Sequence, residues 1–331
     1  MKSSRWSAHI FQWRWSHSLG SLVICAAAAF ICMLIGPDGF SSPADLLAPQ
    51  SQSILELRLS RVLLGLTVGA ALAATGAALQ TILRNPLADP YIIGVSGGAA
   101  LGGAIALCFS SLSVFLTTGS LLGALGSMFL MLSLSRRTDH PDGLLLLGIV
   151  FNAFAAALIT FLKVLVTPQE VQQLILWLVG TIDYPEPNIL FVSCTIVAGL
   201  IFALFFKRGE IHLLLMGDEE ALRLGVNPQR LRSRVYFICC LLVGLLVPLV
   251  GMIGFVGLII PHMVRMVLGP DFRNILPASV FLGMLFLMGC DALVRWSFVW
   301  SHTELPVGAL TALVGAPAFA WILTKRYRGN P

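Results

Sequence analysis

Long apolar runs recur along this chain with short polar breaks between them. A helix needs about 20 apolar residues to span the hydrocarbon core of a bilayer. Only helices and closed barrels satisfy every backbone hydrogen bond there, and runs of this length indicate helices. Charged residues make up 11% of the chain, against about 25% in ordinary globular proteins. The sequence therefore predicts an all-α, polytopic membrane protein.

Ten spans are predicted, and an even number places both termini on the same side of the membrane. They are 19–36, 62–83, 92–109, 112–134, 144–166, 189–206, 235–251, 254–268, 275–296 and 305–324. The run 254–268 is short and contains Pro261 and His262. The apolar run at the N-terminus has no small-residue cleavage pattern after it, so we expect an uncleaved first span.

The distribution of basic residues predicts which side is cytoplasmic. With the N-terminus inside, all but four of the 21 Lys and Arg residues fall in inner segments, and the four exceptions are Arg58, Arg61, Lys163 and Arg295. Cytoplasmic loops of membrane proteins carry this excess of positive charge. We therefore expect one transmembrane domain over residues 1–331, with a cytoplasmic tail at 1–18 and both termini cytoplasmic.

Glycine and proline interrupt both halves of the chain. Residues 84–98 break the second and third spans apart, and residues 251–261 do the same near the eighth. Spans two to five begin outside and spans seven to ten begin inside, which favours an inverted repeat of the kind found in transporters. Gly-x-x-x-Gly spacing at Gly65/Gly69, Gly98/Gly102 and Gly119/Gly123 predicts close helix packing.

Two short helices are predicted outside the spans. On the outer side, within 167–188, Thr167, Pro168 and Glu170 form a capping-box pattern that starts a helix ended by Gly180. On the inner side, within 207–234, acids after Gly217 start a helix that Gly225 ends, and Asn227-Pro228 starts the next. The second helix is either a docking surface for a cytoplasmic partner or a mere connector.

Arginines at the outer boundary have two interpretations. Asp291 and Arg295 are four residues apart on one helix face, so a mutual ion pair is the structural explanation. Arg58 and Arg61 are three apart, and their mutual repulsion offers no structural benefit. That spacing favours an anionic partner outside the membrane.

Few motifs in the sequence indicate catalysis. No Gly-x-x-x-x-Gly-Lys-Ser/Thr loop and no His-Glu-x-x-His are present, so we expect neither nucleotide hydrolysis nor a metal site in this chain. The seven cysteines lie in apolar runs without metal-type spacing. Ser96 lies in a Gly-x-Ser-x-Gly pattern, and an intramembrane serine protease would need His262 or His302 as its base. Without such a role, His262 is interpreted as a histidine at the membrane interface whose ring nitrogens have hydrogen-bond partners.

Several segments resemble the FecCD-type permeases of ABC importers. The resemblance lies in Arg58-Leu-Ser-Arg61, Gly76 to Gln80, Arg84-Asn-Pro-Leu-Ala-Asp-Pro, Ile93 to Gly98, Gly254 to His262, Glu304 to Gly308 and Gly315 to Pro317. It runs in order from about residue 20 to 325. It implies a homodimeric, ten-span permease of the bacterial inner membrane, with inverted-repeat halves and the type II importer fold.

The resemblance also implies partners and site residues. Two ATPase subunits, which would hold ATP and Mg, bind below, and a periplasmic binding protein docks above on Arg58, Arg61 and Arg295. The coupling helix that meets the ATPase comprises Gly217, Asp218, Glu219, Glu220, Ala221, Leu222, Arg223, Leu224 and Gly225. The cytoplasmic gate and pathway comprise Asn85, Pro86, Leu87, Asp142 and Gly143. Residues 168–180 resemble the outer half-helix near the pore mouth.

The expected function is import of an iron chelate, a ferric siderophore or haem, by alternating access. Cobalamin is the alternative cargo. Cobalamin-type relatives have a Thr-Ser pair where this chain has Pro141-Asp142-Gly143, which disfavours it. The rivals from other classes are the Ser96 protease and an ion-coupled secondary transporter. The latter needs an acid at mid-membrane, and Asp291 lies too near the end of its span.

Overall fold

The computed structural model describes residues 15–36, 39–46, 51–109, 113–135 and 141–328. Helices account for most of this part of the chain, as the apolar runs predict. They are α1 (Trp15–Leu34), α2 (Pro43–Leu46), α3 (Gln52–Ile82), α4 (Val95–Leu107), α5 (Ser113–Ser135), α6 (Pro141–Leu162), α7 (Pro168–Val179), α8 (Pro187–Phe206), α9 (Arg208–Leu213), α10 (Asp218–Arg223), α11 (Pro228–Val250), α12 (Val256–Leu268), α13 (Phe272–Ser301) and α14 (Val307–Arg328). Two-residue strands β1 (Ile35–Gly36) and β2 (Gly39–Phe40) pair antiparallel after α1.

The described helices fall into two groups by length. Those long and apolar enough to cross a membrane cover Gln52–Ile82, Val114–Leu134, Pro187–Phe206, Pro228–Val250 and Phe272–Trp300. Shorter apolar helices cover Gly20–Leu34, Val95–Leu107, Leu146–Leu162, Val256–Leu268 and Val307–Ile322. Each coincides with one predicted span, including the short run at 254–268. The number of membrane crossings stays a prediction.

The long helices α3 and α13 pack together at the centre of the fold. A Cβ added at Gly69 would collide with the carbonyl of Gly283, so the two backbones touch there. Gly65 has only ordinary van der Waals neighbours, because the nearest atom to its added Cβ is 3.7 Å away on Ile182. Packing too close for a side chain is confirmed at Gly69, whereas Gly65 faces α13 with room for a Cβ.

Helices α4 and α5 meet along the other two glycine pairs. A Cβ at Gly102 would collide with the carbonyl of Gly119, and a Cβ at Gly123 with that of Gly98. Only residues without side-chain bulk let helix backbones approach this closely. The prediction is confirmed for these four glycines.

The two broken regions have similar geometry. Gly94 precedes α4 with φ 89°, and Phe255 precedes α12 with φ 70°, so a left-handed residue starts each of these 13-residue helices. The hydroxyl of Tyr91 accepts a hydrogen bond from the backbone N–H of Ile253 at 2.7 Å. Similar breaks at α4 and α12, five spans apart, fit the predicted pairing of the two halves.

Candidate functional site

The polar residues that the sequence singles out lie in two clusters at opposite ends of α3. One contains Arg58, Arg61 and Arg295, and we call it the arginine cluster. The other contains Arg84 and Asp218, and we call it the coupling cluster. Charge distribution predicts the first on the outer side and the second on the inner side.

A single carboxylate organises the arginine cluster. Nε of Arg61 donates to Oδ1 of Asp291 at 2.8 Å, and Nε of Arg295 donates to Oδ2 at 3.0 Å. All three side chains are at least 98% buried. Two guanidiniums therefore share one carboxylate, which compensates part of the desolvation that each charge suffers. The ion pair expected between Asp291 and Arg295 is present.

The remaining donors of these arginines reach loops and the solvent boundary. Nη1 of Arg61 donates to Oε2 of Glu304 at 3.2 Å and to the hydroxyl of Tyr184 at 3.3 Å. The side chain of Glu304 is 41% exposed, so this contact lies where the cluster meets solvent. Nη1 of Arg295 donates to the carbonyl of Ile35 at 2.6 Å.

Arg58 extends the cluster to the strand pair. Its Nη1 donates to the carbonyl of Met33 at 2.9 Å, and its Nη2 donates to Oγ of Ser41 at 3.1 Å. A Cβ added at Gly36 would meet the guanidinium, so Arg58 lies directly against the backbone of β1. Because α3 begins at Gln52, ten residues before the predicted span, Arg58 lies inside the helix. The premise that Arg58 and Arg61 lack structural partners is therefore wrong.

The arginine cluster has an excess of positive charge among the described residues. The cluster contains three arginines, and the carboxylates bonded to Arg61 and Arg295 are those of Asp291 and Glu304. Nη2 of Arg295 is buried and has no hydrogen-bond partner within the described ranges. Asp38, which follows β1 in the sequence, lies outside them, and Glu56, two residues before Arg58, is exposed. Among the described residues, the cluster therefore has one donor for which no acceptor is present.

The coupling cluster joins three elements through Asp218, the first residue of α10. Nη1 and Nη2 of Arg232, on α11, donate to both oxygens of Asp218 at 2.6 and 2.7 Å. Nη2 of Arg84 donates to Oδ1 at 2.6 Å. Hydrogen bonds from Arg232, followed by the positive charges of both arginines, hold the pKa of Asp218 below its ordinary value. The carboxylate is therefore charged at neutral pH.

Arg84 and Arg232 also bind backbone carbonyls around the same point. Arg84 donates to the carbonyl of Leu214 at 3.0 and 2.6 Å, just before α10. Arg232 donates to the carbonyl of Ile82 at 3.2 Å, where α3 leaves its last carbonyls without helical partners. Arg84 has φ 49°, a left-handed conformation that costs a non-glycine residue roughly 1–2 kcal/mol. These bonds fix the strained turn against the start of α10.

Helix α10 lies where the sequence predicts a helix between Gly217 and Gly225, and its role in coupling stays a prediction. It spans Asp218–Arg223, after Gly217 and before Gly225, which have φ 124° and 83°. Asn227 then caps α11 by accepting from the N–H of Arg230 at 3.0 Å. Glu219 and Leu222 are exposed, with 55% of Leu222 accessible. The helix therefore presents both polar and apolar groups away from the bundle.

The predicted gate residues separate into two groups. Oδ1 of Asn85 accepts from the N–H of Leu87 at 2.9 Å, which forms a turn through Pro86 and leaves Leu87 47% exposed. Asp142 and Gly143 lie in the first turn of α6, and the side chain of Asp142 is outside the described part of the structure.

The remaining motifs have structural roles. Thr167 and Glu170 form the predicted capping box, with Oε2 of Glu170 accepting from the N–H of Thr167 at 2.8 Å. Helix α7 ends before Gly180, as expected. Ser96 is buried at the start of α4, and its hydroxyl donates to the carbonyl of Tyr91 at 3.0 Å. That bond supports a packing role for Ser96. The ring of His262 lies edge-on to Phe319, with centroids 5.6 Å apart.

Sequence analysis did not identify Arg232, Tyr184 or Glu304 as members of these clusters. Each acts on a residue far away in the chain, and none has a short-range pattern that pairs it with its partner. The unequal distribution of basic residues located the arginines, but their acceptors come from the fold.

Comparison with known proteins identifies the family. The FecCD transport family matches residues 13–325. The chain belongs to the FecCD transport family. It is similar to a probable iron chelatin transport system permease protein of Helicobacter pylori strain J99, with 37% identity over 84% of both chains. It is also similar to the cobalamin import system permease protein BtuC of Halobacterium salinarum, with 36% identity over 87% of this chain and 78% of the relative.

The fold of this FecCD protein is also similar to that of a solved structure. That structure is an inward-facing metal-chelate type ABC transporter, with 32% identity and a TM-score of 0.85, covering 93% of this chain and 98% of that one. The fold expectation is thereby confirmed as that of an ABC importer permease. The chain is a multi-pass membrane permease.

Proposed function

We propose that this chain is the permease subunit of an ATP-driven importer that moves an iron chelate, a ferric siderophore or haem, into the cytoplasm. Transport proceeds by alternating access, and ATP hydrolysis takes place on separate subunits. The chain forms one transmembrane domain, works as a homodimer in the bacterial inner membrane and keeps both termini cytoplasmic. Family membership and the similarity to the Helicobacter pylori permease support this cargo class.

The observation that carries the proposal is the bond between Arg84 and Asp218. It joins the turn that contains Asn85 and Leu87 to the first residue of α10. In the proposal, α10 is the coupling helix on the ATPase, and Leu87 with Asn85 and Pro86 forms the cytoplasmic gate beside Asp142 and Gly143. A displacement of α10 by the ATPase is then passed to the gate through a charged, short hydrogen bond.

The arginine cluster is the proposed docking site for the periplasmic binding protein. Its three guanidiniums favour an incoming carboxylate by charge, and the cluster meets solvent at Arg61 and Glu304. The exposed Glu304 holds one donor of Arg61 in the free permease. We infer that a carboxylate of the binding protein takes the place of Glu304 on Arg61, while Asp291 keeps the buried arginines in place.

Cobalamin is the second candidate cargo. The similarity to the Halobacterium permease favours it at nearly the same identity. The Pro141-Asp142-Gly143 segment favours an iron chelate instead. A secondary transporter would need an uncompensated carboxylate in the membrane, and Asp291 is held by two guanidiniums.

The proposal is tested by co-purifying the permease with its binding protein and ATPase, then reconstituting the complex in liposomes. Haem, ferric siderophores and cobalamin are added in turn, and absorbance spectra measure cargo binding and ATP-dependent uptake. We expect uptake of one iron chelate that stops when ATP is withheld. Uptake of cobalamin alone would overturn the cargo assignment, and uptake driven by an ion gradient without ATP would overturn the importer.

A further inference from the structure

An apolar groove lies between the ends of α8 and α11, over α5. Its volume is about 610 Å³, and it is lined by Leu132, Ala203, Phe206, Lys207, Ser233, Arg234, Phe237 and Ile238. This volume is in the usual range for small-molecule sites, about 300–1,000 Å³. Neither of the two clusters described above contributes a residue to it.

The lining of this groove changes from charged to apolar along the helices. Lys207 directly follows α8, and Ala203 lies one turn earlier in that helix. Arg234 is in the second turn of α11, and Ile238 lies one turn later. Because charge distribution places the end of α8 and the start of α11 on the cytoplasmic side, both cations lie at the same end of the groove. The apolar lining extends from there toward the membrane interior.

The end of the groove that contains Lys207 and Arg234 has a net positive charge, which favours binding of an anion. Nζ of Lys207 is bonded to Oε1 of Glu210 at 2.6 Å, so its charge is partly compensated. Arg234 is exposed and forms no ion pair with any described acid. The hydroxyl of Ser233 is beside it. Arg208, stacked on Phe205 at 4.0 Å, adds a further positive charge nearby.

We propose that the groove binds an anionic phospholipid of the cytoplasmic leaflet. Its phosphate group lies against Arg234, Ser233 and Lys207, and an acyl chain lies along Phe237, Ile238 and Ala203. The order of groups along the lining matches that of an anionic lipid. The cations lie at the membrane surface, where the phosphate is, and the apolar residues lie below, where the hydrocarbon is. Each basic residue at this depth raises the affinity for an anionic lipid by a factor of about five.

Native mass spectrometry of the purified full-length permease tests this site. The protein is offered phosphatidylglycerol and phosphatidylcholine with identical acyl chains. We expect the wild type to retain phosphatidylglycerol preferentially. Lys207→Gln and Arg234→Gln should each lower that retention about fivefold and leave phosphatidylcholine unchanged. Equal retention of the two lipids by the wild type, or unchanged selectivity in both variants, would overturn the proposal.

Two further variants separate the groove from general surface charge. Arg230→Gln removes the same charge one turn before Arg234 and outside the lining, so it should lower selectivity by less than Arg234→Gln does, because screened attraction weakens with distance. Ala203→Trp fills the groove without changing charge and should lower retention of both lipids. Loss of selectivity in Arg230→Gln equal to that in Arg234→Gln would indicate a diffuse charge effect and sink the site. So would unchanged retention in Ala203→Trp.

Discussion

Arg61 and Asp291 form a buried ion pair at 2.8 Å, although they are 230 positions apart in the chain. The pair joins α3 to α13, the two long helices at the centre of the fold. Arg295 occupies the second oxygen of the same carboxylate. Asp291 thus determines the position of two arginines that the docking proposal requires.

Replacing Asp291 by Asn should destabilise the permease strongly. Removing one partner of a buried pair leaves uncompensated charge and typically costs about 3–5 kcal/mol. The measurement is reversible denaturant unfolding in detergent, compared with the wild type. Glu186→Gln, an exposed acid at the start of α8, is the matched control and should change the free energy of unfolding by less than about 0.5 kcal/mol. Equal stability of the two variants would contradict the role given to Asp291.

Replacing Glu304 by Gln should tighten docking of the binding protein. The neutral amide oxygen holds Nη1 of Arg61 less strongly than the carboxylate does, so an incoming carboxylate displaces it more easily; a hydrogen bond to a charged group contributes about 1.5–3 kcal/mol. We expect the dissociation constant, measured by surface plasmon resonance, to fall about tenfold. Arg58→Ala should raise it, and Ala at Arg58, Arg61 and Arg295 together should abolish docking. Undiminished docking of the triple variant would rule out this surface, whereas weaker docking of Glu304→Gln would rule out the exchange.

Replacing Asp218 by Asn should uncouple ATP hydrolysis from uptake. The variant removes the charge that holds Arg84 and Arg232 together, so movement of α10 no longer reaches the turn at Leu87. We expect ATP hydrolysis to continue and the ratio of uptake to hydrolysis to fall at least tenfold in proteoliposomes. Changing Glu219 and Leu222, which lie on the exposed face of α10, should also uncouple ATP hydrolysis from uptake. Glu210 pairs with Lys207 and with no other residue in the described ranges, so Glu210→Gln should keep a normal ratio. A normal ratio in Asp218→Asn would refute the link.

The coupling cluster should tolerate mild acid. The lowered pKa of Asp218 means that its stabilising effect is complete above the ordinary Asp pKa of about 3.9 and is lost as pH falls through the lower folded value. The difference in melting temperature between wild type and Asp218→Asn should therefore be constant from about pH 7 to 5. It should shrink only below about pH 4. A difference that disappears between pH 7 and 5 would show that the carboxylate is not held as described.

Replacing Gly123 by Ala should disrupt the contact between α4 and α5. The added Cβ would lie against the backbone of Gly98 and 2.9 Å from Cα of Gly102, and backbone cannot move aside cheaply. Overpacking of this kind costs about 1–3 kcal/mol. Gly126→Ala is the control on the same helix, because its added Cβ meets nothing within 4 Å. That variant should be neutral or stabilising by up to about 1 kcal/mol in the same unfolding assay.

The sequence by itself determined the features that depend on neighbouring residues. Apolar length defined the helices, and local capping defined α7 and α10, since Thr167 bonds Glu170 three residues away and Gly225 needs only its own φ of 83°. Glycine spacing found the α4–α5 contact, yet Gly65 shows that the same spacing does not reveal whether a position has room for a side chain.

Only the tertiary structure decided the partners of the charged residues. Arg84 and Asp218 are 134 positions apart, and the acceptors of Arg61 lie 230 and 243 positions away. No local pattern links such residues, because their contact depends on how α3, α10 and α13 pack. The charge distribution could place the arginines on one side of the membrane. The fold alone showed that they are buried and that Arg61 and Arg295 are joined through Asp291.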